Sequence, residues 1–295
     1  MSSVVVFSPA KLNLVLAVTG RRADGYHDLV SVVVPVEFGD TLRVEAGAGG
    51  EFALECDDAA VPSGEENLVL RAARLFAEAT GWGGGARFFL EKRIPMGAGL
   101  GGGSSNATAA LRGLNSLAGG LLGEAELAAV AARAGSDCAL FLPGGPVAMR
   151  GRGERVEPLA AEAAARLRGR RVLIFKPGFG INTPWAYAQL AADGEKSYLP
   201  AEEAEARLAA WLGDAQAPAE ALLFNSFERP AFYKFPALPA LLDALGKEFW
   251  LSTRLSGSGS ACFALLPAAV TAEAVRARIR EAWGATALIE ETRIA

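Results

Sequence analysis

The chain has 295 residues, 51% hydrophobic and 21% charged, with a formal net charge of −4, the balance of a globular protein long enough for two cores. Net acidity argues against broad nucleic-acid binding, which needs a basic surface to displace counterions. A single histidine makes a hydrolase triad improbable and excludes a His-rich metal site, and the scattered Cys56, Cys138 and Cys262 form neither a disulfide framework nor a zinc spacing, so buried free thiols are expected.

At the start, Met1-Ser2-Ser3-Val4 lacks the basic flank and long apolar stretch of a signal peptide. The longest apolar runs, such as residues 32–36, are only strand-length, and the expectation is a cytoplasmic protein. Residues 4–18 are almost continuously apolar and predict two short strands joined across a bend at Ser8-Pro9-Ala10-Lys11. Lys11 and Asn13, two apart on an extended segment, share a face; a lysine in such a setting is commonly a snorkelling edge residue. Residues 21–25 read as a turn, placing Tyr26 and His27 at a strand start, where a lone histidine is more often structural than functional. Strands are expected at 29–37 and 41–45 with Gly39-Asp40 turning between them, and at 52–55 within a glycine-rich acidic stretch. Residues 67–80 predict a helix with Leu68, Ala72, Leu75, Phe76 and Ala79 on one stripe, stopped by Gly81. A strand over 86–90 follows.

Residues 95–113, PMGAGLGGGSSNATAALRG, place five glycines at 97–103 directly before an alanine-rich helix expected at 104–118. Without Cβ atoms, consecutive N–H groups converge on an anion, and the helix adds its unpaired N-terminal donors. The helix dipole supplies only about 0.3–1 kcal/mol to a phosphate at an exposed site, so direct hydrogen bonds carry most of the affinity. Gly97 to Gly102 also satisfies G-x-G-x-x-G, yet residues 91–96 separate the glycines from the preceding strand, unlike a Rossmann loop. A Walker loop fails as well, because Gly103 stands where its lysine belongs. A flexible linker is the bland alternative, and linkers do not usually run into a well-capped helix.

A helix is expected at 124–134. Asp137 then follows Gly135-Ser136 and precedes the apolar residues 138–142; it is either a turn or cap residue, or a carboxylate at a core edge. Residues 150–171, rich in arginine and alanine, predict a solvated helix between domains. A strand is expected at 172–175. Asn182-Thr183-Pro184 starts a helix, with Thr183 as N-cap and Pro184 at the first helical position; that helix carries Trp185 and Tyr187. Helices at 201–212, 238–248 and 271–283 and strands at 249–255, 261–266 and 287–290 complete an α+β layout without internal repeats. Ser256-Gly257-Ser258-Gly259-Ser260 is a hairpin turn that can also face a ligand.

Four separated segments, Ser8 to Leu14, Asp24-Gly25-Tyr26-His27, Pro95 to Asn106 and Arg254 to Gly259, together resemble the GHMP kinases, in that family's order and across almost the whole chain. The resemblance implies a two-domain fold, with a ribosomal S5 domain 2-like ATP-binding domain over 1–159 and a ferredoxin-like substrate-side domain over 160–295. It implies an active site in the cleft between them, and an ATP- and Mg²⁺-dependent small-molecule phosphotransferase. The Lys-Leu-Asn-Leu and Gly-Tyr-His segments narrow the implied acceptor to 4-diphosphocytidyl-2-C-methyl-D-erythritol, of the non-mevalonate isoprenoid route. Homoserine- or mevalonate-type kinases of the same family are the alternative, followed by an RNA-binding protein sharing the first domain's fold.

The same resemblance implies the roles. Lys11 and Asp137 match the family's proposed catalytic pair, with Asn13 beside them. Tyr26 would stack on the cytosine, His27 would hydrogen-bond its edge, Tyr187 would add a second aromatic, and Thr183 would lie near the diphosphate or sugar. For ATP the matching positions are Gly97, Ala98, Gly99, Leu100, Gly101, Gly102, Gly103, Ser104 and Ser105. Asn67, Lys92 and Met96 would stand near the adenine, and Gly257, Ser258 and Gly259 would close the site near the phosphates. No dedicated metal cage is evident; Ser104 and Ser105 are the local hydroxyls for Mg²⁺. The chain departs from the family in having Cys138-Ala139 where relatives often have Val-Pro, and Val33 where some carry an aromatic.

Overall fold

Two long strands open the chain and feed both of its compact units. In the computed structural model, which describes residues 2–47 and 49–295, β1 spans Ser3–Arg21 and β2 spans His27–Gly47. Each was expected as two strands and is one. In β1, Pro9 causes no break, and the Lys11 amide donates to the Leu100 carbonyl at 2.9 Å instead of to a strand; proline is tolerated where a strand's ladder does not need its N–H. In β2, Gly39 is not a turn residue: a Cβ there would stand 2.4 Å from the Ser8 carbonyl oxygen and 2.8 Å from Pro9 Cα. The glycine marks a close approach of two backbones. Asp40, beside it, is fully buried.

The chain forms two compact units, a first of Met1–Ala10, Phe38–Met96 and Gly101–Gly144, and a second of Lys11–Glu37, Gly97–Leu100 and Gly145–Ala295. The first unit adds β3 (Phe52–Cys56), α1 (Leu68–Thr80), β4 (Gly85–Glu91), α2 (Gly102–Leu117) and α3 (Glu124–Ala134). β3 pairs in parallel with β4, and β4 pairs antiparallel with β2 from Thr41↔Glu91 to Gly47↔Gly85. Val69 and Phe76 of α1, Leu111 and Leu114 of α2 and Val130 of α3 form one core with Leu42, Val44, Phe88 and Leu90 of the strands. The α1 boundaries follow from its caps: Asn67 Oδ1 accepts the Val69 amide at 2.9 Å, and Gly81 closes the helix at φ 68°.

The second unit continues with β5 (Val147–Gly151), β6 (Arg155–Pro158), α4 (Ala161–Ala165), β7 (Arg171–Lys176), α5 (Thr183–Asp193) and α6 (Ala201–Gly213). Then come β8 (Phe224–Asn225), α7 (Glu228–Lys234), α8 (Ala237–Phe249), β9 (Ser252–Leu255), β10 (Cys262–Leu265), α9 (Ala272–Trp283) and β11 (Leu288–Arg293). β5 pairs with residues 29–33 of β2, and β8 joins β1 in parallel at Val15 and Leu16. A four-stranded antiparallel sheet, ordered β11-β7-β10-β9, carries the turn at 256–260 between its last two strands. α8 buries Leu238, Leu241, Leu242 and Leu245 as its stripe predicts. The result is the expected α+β layout.

Two local expectations are corrected here. The solvated helix at 150–171 is replaced by the β5–β6 hairpin and the short α4, which buries Ala163 and Ala164. Arg150 on β5 pairs with Glu157 on β6 at 2.9 Å and with Glu205 at 2.7 Å, so the charges that suggested a helix surface decorate a hairpin. The α5 cap lies one residue earlier than predicted: Asn182 Oδ1 accepts the Trp185 amide at 2.9 Å, leaving Thr183 as the first helical residue. Among the described residues, no helix is long and apolar enough to cross a membrane.

Candidate active site

In the second unit, Lys11 and Asn13 lie on the part of β1 where burial is continuous. Lys11, 5% exposed as a residue, donates from its ammonium to Asn13 Oδ1 at 2.5 Å. Asn13 Nδ2 donates to Ser31 Oγ at 3.0 Å, and Ser31 in turn donates to the Val15 carbonyl at 2.5 Å. This relay fixes the amide orientation of Asn13 so that its oxygen faces the ammonium, and it adds Ser31, which sequence reasoning missed because a serine within a strand gives no signal.

The same unit brings the first half of the glycine stretch against the turn at 256–260. Gly99 has φ 78°, and a Cβ on it would lie 2.1 Å from the Ser256 carbonyl oxygen. Gly257, at φ 58°, would place a Cβ 2.9 Å from the Gly99 oxygen and 3.1 Å from Lys11 Nζ. Ser256 Oγ donates to the Gly99 carbonyl at 3.1 Å, and the Ala261 amide to the Ala98 carbonyl at 3.0 Å. The two loops therefore touch through backbone, with a buried lysine beside them. Asn225, also missed, holds the turn by donating from Nδ2 to the carbonyls of Leu255 at 2.7 Å and Gly257 at 2.8 Å. Thr183 shares a hydroxyl–hydroxyl hydrogen bond of 2.7 Å with Ser258.

An aromatic group forms around His27. Its ring centroid lies 5.0 Å from that of Tyr187, and its Nε2 is 3.2 Å from the hydroxyl of Tyr198, a third residue the sequence reading passed over. Tyr187 stands edge-on to Phe227 at 4.8 Å. Burial, helped by the charge of Arg21, holds the imidazole below its ordinary pKa of 6.5, so His27 is neutral at pH 7. Tyr26 is exposed, with the Arg152 guanidinium 4.8 Å over its ring.

Other candidate residues lie in the first unit. Gly101, at φ 72°, precedes α2 with no side-chain cap, so the first-turn N–H groups of the helix keep their capacity for an anion. Ser104 stays half-buried, whereas the Ser105 hydroxyl is buried and accepts from Ser8 Oγ at 2.8 Å. Met96 is exposed. Asn67 is engaged on both side-chain atoms, capping α1 and donating to the Pro62 carbonyl at 2.6 Å. Lys92 points inward to Asp40, 2.6 Å away.

Asp137, half-buried, occupies the turn closed by the Cys138 amide on the Gly135 carbonyl at 3.1 Å. α2 suspends that turn: Thr108 Oγ1 donates to the Cys138 carbonyl at 2.7 Å and Arg112 to the Leu142 carbonyl at 2.6 Å. Burial pushes the Cys138 thiol up to about 12, the Asp137 charge adding to it against a hydrogen bond with Ser104. A thiol so raised is a packing group and not a nucleophile. Among the described residues, no cluster of three His, Cys, Asp or Glu side chains could hold a metal ion.

Comparison with known proteins places these features in a lineage. Residues 67–147 match the GHMP kinases N terminal domain and residues 202–285 the GHMP kinases C terminal domain. Over 283 residues the chain is 40% identical to the 4-diphosphocytidyl-2-C-methyl-D-erythritol kinase of Thermus thermophilus, covering 95% of this chain and 94% of that one. It is 36% identical over 296 residues to the kinase of the same name from Prochlorococcus marinus, covering 97% and 91%. A crystal structure of 4-(cytidine 5'-diphospho)-2C-methyl-D-erythritol kinase matches with TM-score 0.75 at 38% identity, over 99% of this chain and all of that one. The mevalonate kinase of Methanococcus jannaschii, at TM-score 0.73 and 15% identity over 100% and 99% of the two chains, shares the fold.

Proposed function

The chain belongs to the GHMP kinases, a family of ATP-dependent kinases, and from that membership we propose that it moves the γ-phosphoryl group of ATP to the 2-hydroxyl of 4-diphosphocytidyl-2-C-methyl-D-erythritol, in the non-mevalonate route to isoprenoid precursors. The observation that carries the reading is the near full-length identity of 36–40% to kinases named for that acceptor, joined to a glycine cradle with a buried lysine beside it.

The bond from the γ-phosphorus to its bridging oxygen breaks, a bond to the acceptor oxygen forms, and the acceptor's proton passes to the Asp137 carboxylate. Such a reaction runs through a loose transition state, so positioning and charge stabilisation dominate and a strong base is unnecessary. Lys11, oriented by Asn13, offers its ammonium to the transferring group. The backbone of Gly97, Ala98, Gly99, Leu100, Gly101, Gly102 and Gly103 cradles the phosphates with the Gly257-Ser258-Gly259 turn, with Asn67, Lys92 and Met96 near the adenine. Mg²⁺, when bound, neutralises charge on the phosphates; Ser104 is the residue that would hold it, since the Ser105 hydroxyl is turned inward.

On the acceptor side, Tyr26 stacks on the cytosine, the neutral His27 reads its edge, Tyr187 adds a second ring, and Thr183 stands by the diphosphate or sugar. The purified chain with Mg·ATP is expected to release ADP in step with phosphorylation of 4-diphosphocytidyl-2-C-methyl-D-erythritol. Release of ADP with mevalonate or homoserine, and none with the cytidylyl substrate, overturns the acceptor.

A further inference from the structure

Asp40 has no place in the roles above, yet it is the most heavily bonded carboxylate near the glycine stretch. Its Oδ1 accepts the backbone amides of Arg93 at 2.7 Å and Ile94 at 2.8 Å. Its Oδ2 accepts Lys92 Nζ at 2.6 Å and Asn106 Nδ2 at 2.8 Å. Four donors saturate the two oxygens. The carboxylate is fully buried and the Lys92 side chain 6% exposed. Such a pair commonly gives no stability beyond that of a well-packed apolar replacement, so what it does to its surroundings is the informative part.

Those surroundings are the two ends of the loop. On one side, the Ile94 amide is bound by Asp40 while the Ile94 carbonyl accepts Lys92 Nζ at 2.5 Å, fixing the chain two residues before Met96. On the other, a Cβ on Gly102 would stand 3.0 Å from Lys92 Nζ, so the ammonium lies under the first residue of α2. Asn106 Nδ2 also donates to Ser8 Oγ at 2.8 Å, and Ser8 to Ser105 Oγ at 2.8 Å, so the network ends on a first-turn hydroxyl. One carboxylate therefore braces the entry and exit of residues 95–105 from beneath.

We propose that Asp40 is the positioning residue of the nucleotide loop: through Lys92, and through Asn106 and Ser8 to Ser105, it holds the donors at the start of α2 in the arrangement that binds phosphate. The proposal rests on the nucleotide reading above and is independent of which acceptor is used. Asp40→Asn keeps the shape and an oxygen for the two amides but removes the charge that fixes Lys92.

The test is calorimetric titration of the full chain with Mg·ADP and, separately, with CDP. Asp40→Asn is expected to weaken ADP about tenfold, the scale of one charge-assisted hydrogen bond, at unchanged stoichiometry and with CDP affinity unmoved. A merely structural defect lowers the binding-competent fraction for both ligands together. ADP affinity equal to wild type, or equal losses for ADP and CDP, overturns the proposal. Failure of wild type to bind ADP instead overturns the nucleotide reading itself. Should Asp40→Asn fail to fold, Ser8→Ala cuts only the branch to Ser105; it is expected to weaken ADP about threefold, and no change for ADP overturns the positioning role.

Discussion

Two residues carry predictions of opposite kinds. Replacing Asp137 by asparagine keeps its size and removes the proton acceptor. If it acts as proposed, turnover falls by about 10²–10⁴, the usual weight of a general base, while ADP binding in a titration is retained; near-normal turnover removes Asp137 from the chemistry. His27 gives a spectroscopic prediction that needs no substrate. It is the chain's one histidine, and its imidazole is held below 6.5 by burial first and Arg21 second, so its NMR titration midpoint should fall below that of a free imidazole. The sign for stability follows: with the folded pKa depressed, the contribution is fully present above pH 6.5 and is lost as pH falls through the folded value. The wild type should therefore lose thermal stability relative to His27→Gln on going from pH 7 to pH 5, and a midpoint at or above 6.5 contradicts the burial argument.

Elements were legible where their ends carry chemistry. Asn67 and Gly81 bracket α1 in sequence and in structure, the leucine stripe of α8 is the face it buries, and the glycine stretch runs into α2 as its composition indicates. Elements were illegible where one residue type serves two purposes. Gly39-Asp40 has turn chemistry, but the glycine admits the Ser8 backbone and the aspartate is a buried hub, so β2 runs straight through. Arginines that read as a helix surface are hairpin decoration, and α7 is short with Pro230 inside it. Of the candidate site, the loop and the polar pair Lys11 and Asn13 were visible, while their supports Ser31, Asp40, Asn225 and Tyr198 were not, because a support is defined by what it meets across the fold. The glycines give the element-scale test. Gly97→Ala, in open space at φ 61°, should cost about 1–2 kcal/mol for left-handed backbone alone. Gly99→Ala adds a clash with the Ser256 carbonyl and should lower the melting temperature further; equal shifts for the two would deny the close approach.

At the scale of the whole molecule, charge and thiols make bulk predictions. A net charge of −4 should leave RNA unretained on a filter at physiological salt, and tight, salt-sensitive retention would favour the RNA-binding alternative. Burial raises all three thiols, Cys138 to about 12 and Cys262 well above its ordinary value, with Cys56 only half-buried. At pH 8 a thiol reagent should modify at most one cysteine of the folded chain, and three after denaturation.

The Thr108 bond to the Cys138 carbonyl has a consequence for how such chains tolerate change in length. α2 begins at the end of the glycine stretch and, six residues and about 9 Å further on at 1.5 Å per residue, grips the turn that bears Asp137, so it works as a ruler. One residue inserted between Gly102 and Thr108 would swing the grip by about 100° around the helix axis and release the turn. An insertion in this chain should be tolerated instead at Gly119 and Gly120, exposed and at positive φ, beyond the end of the ruler.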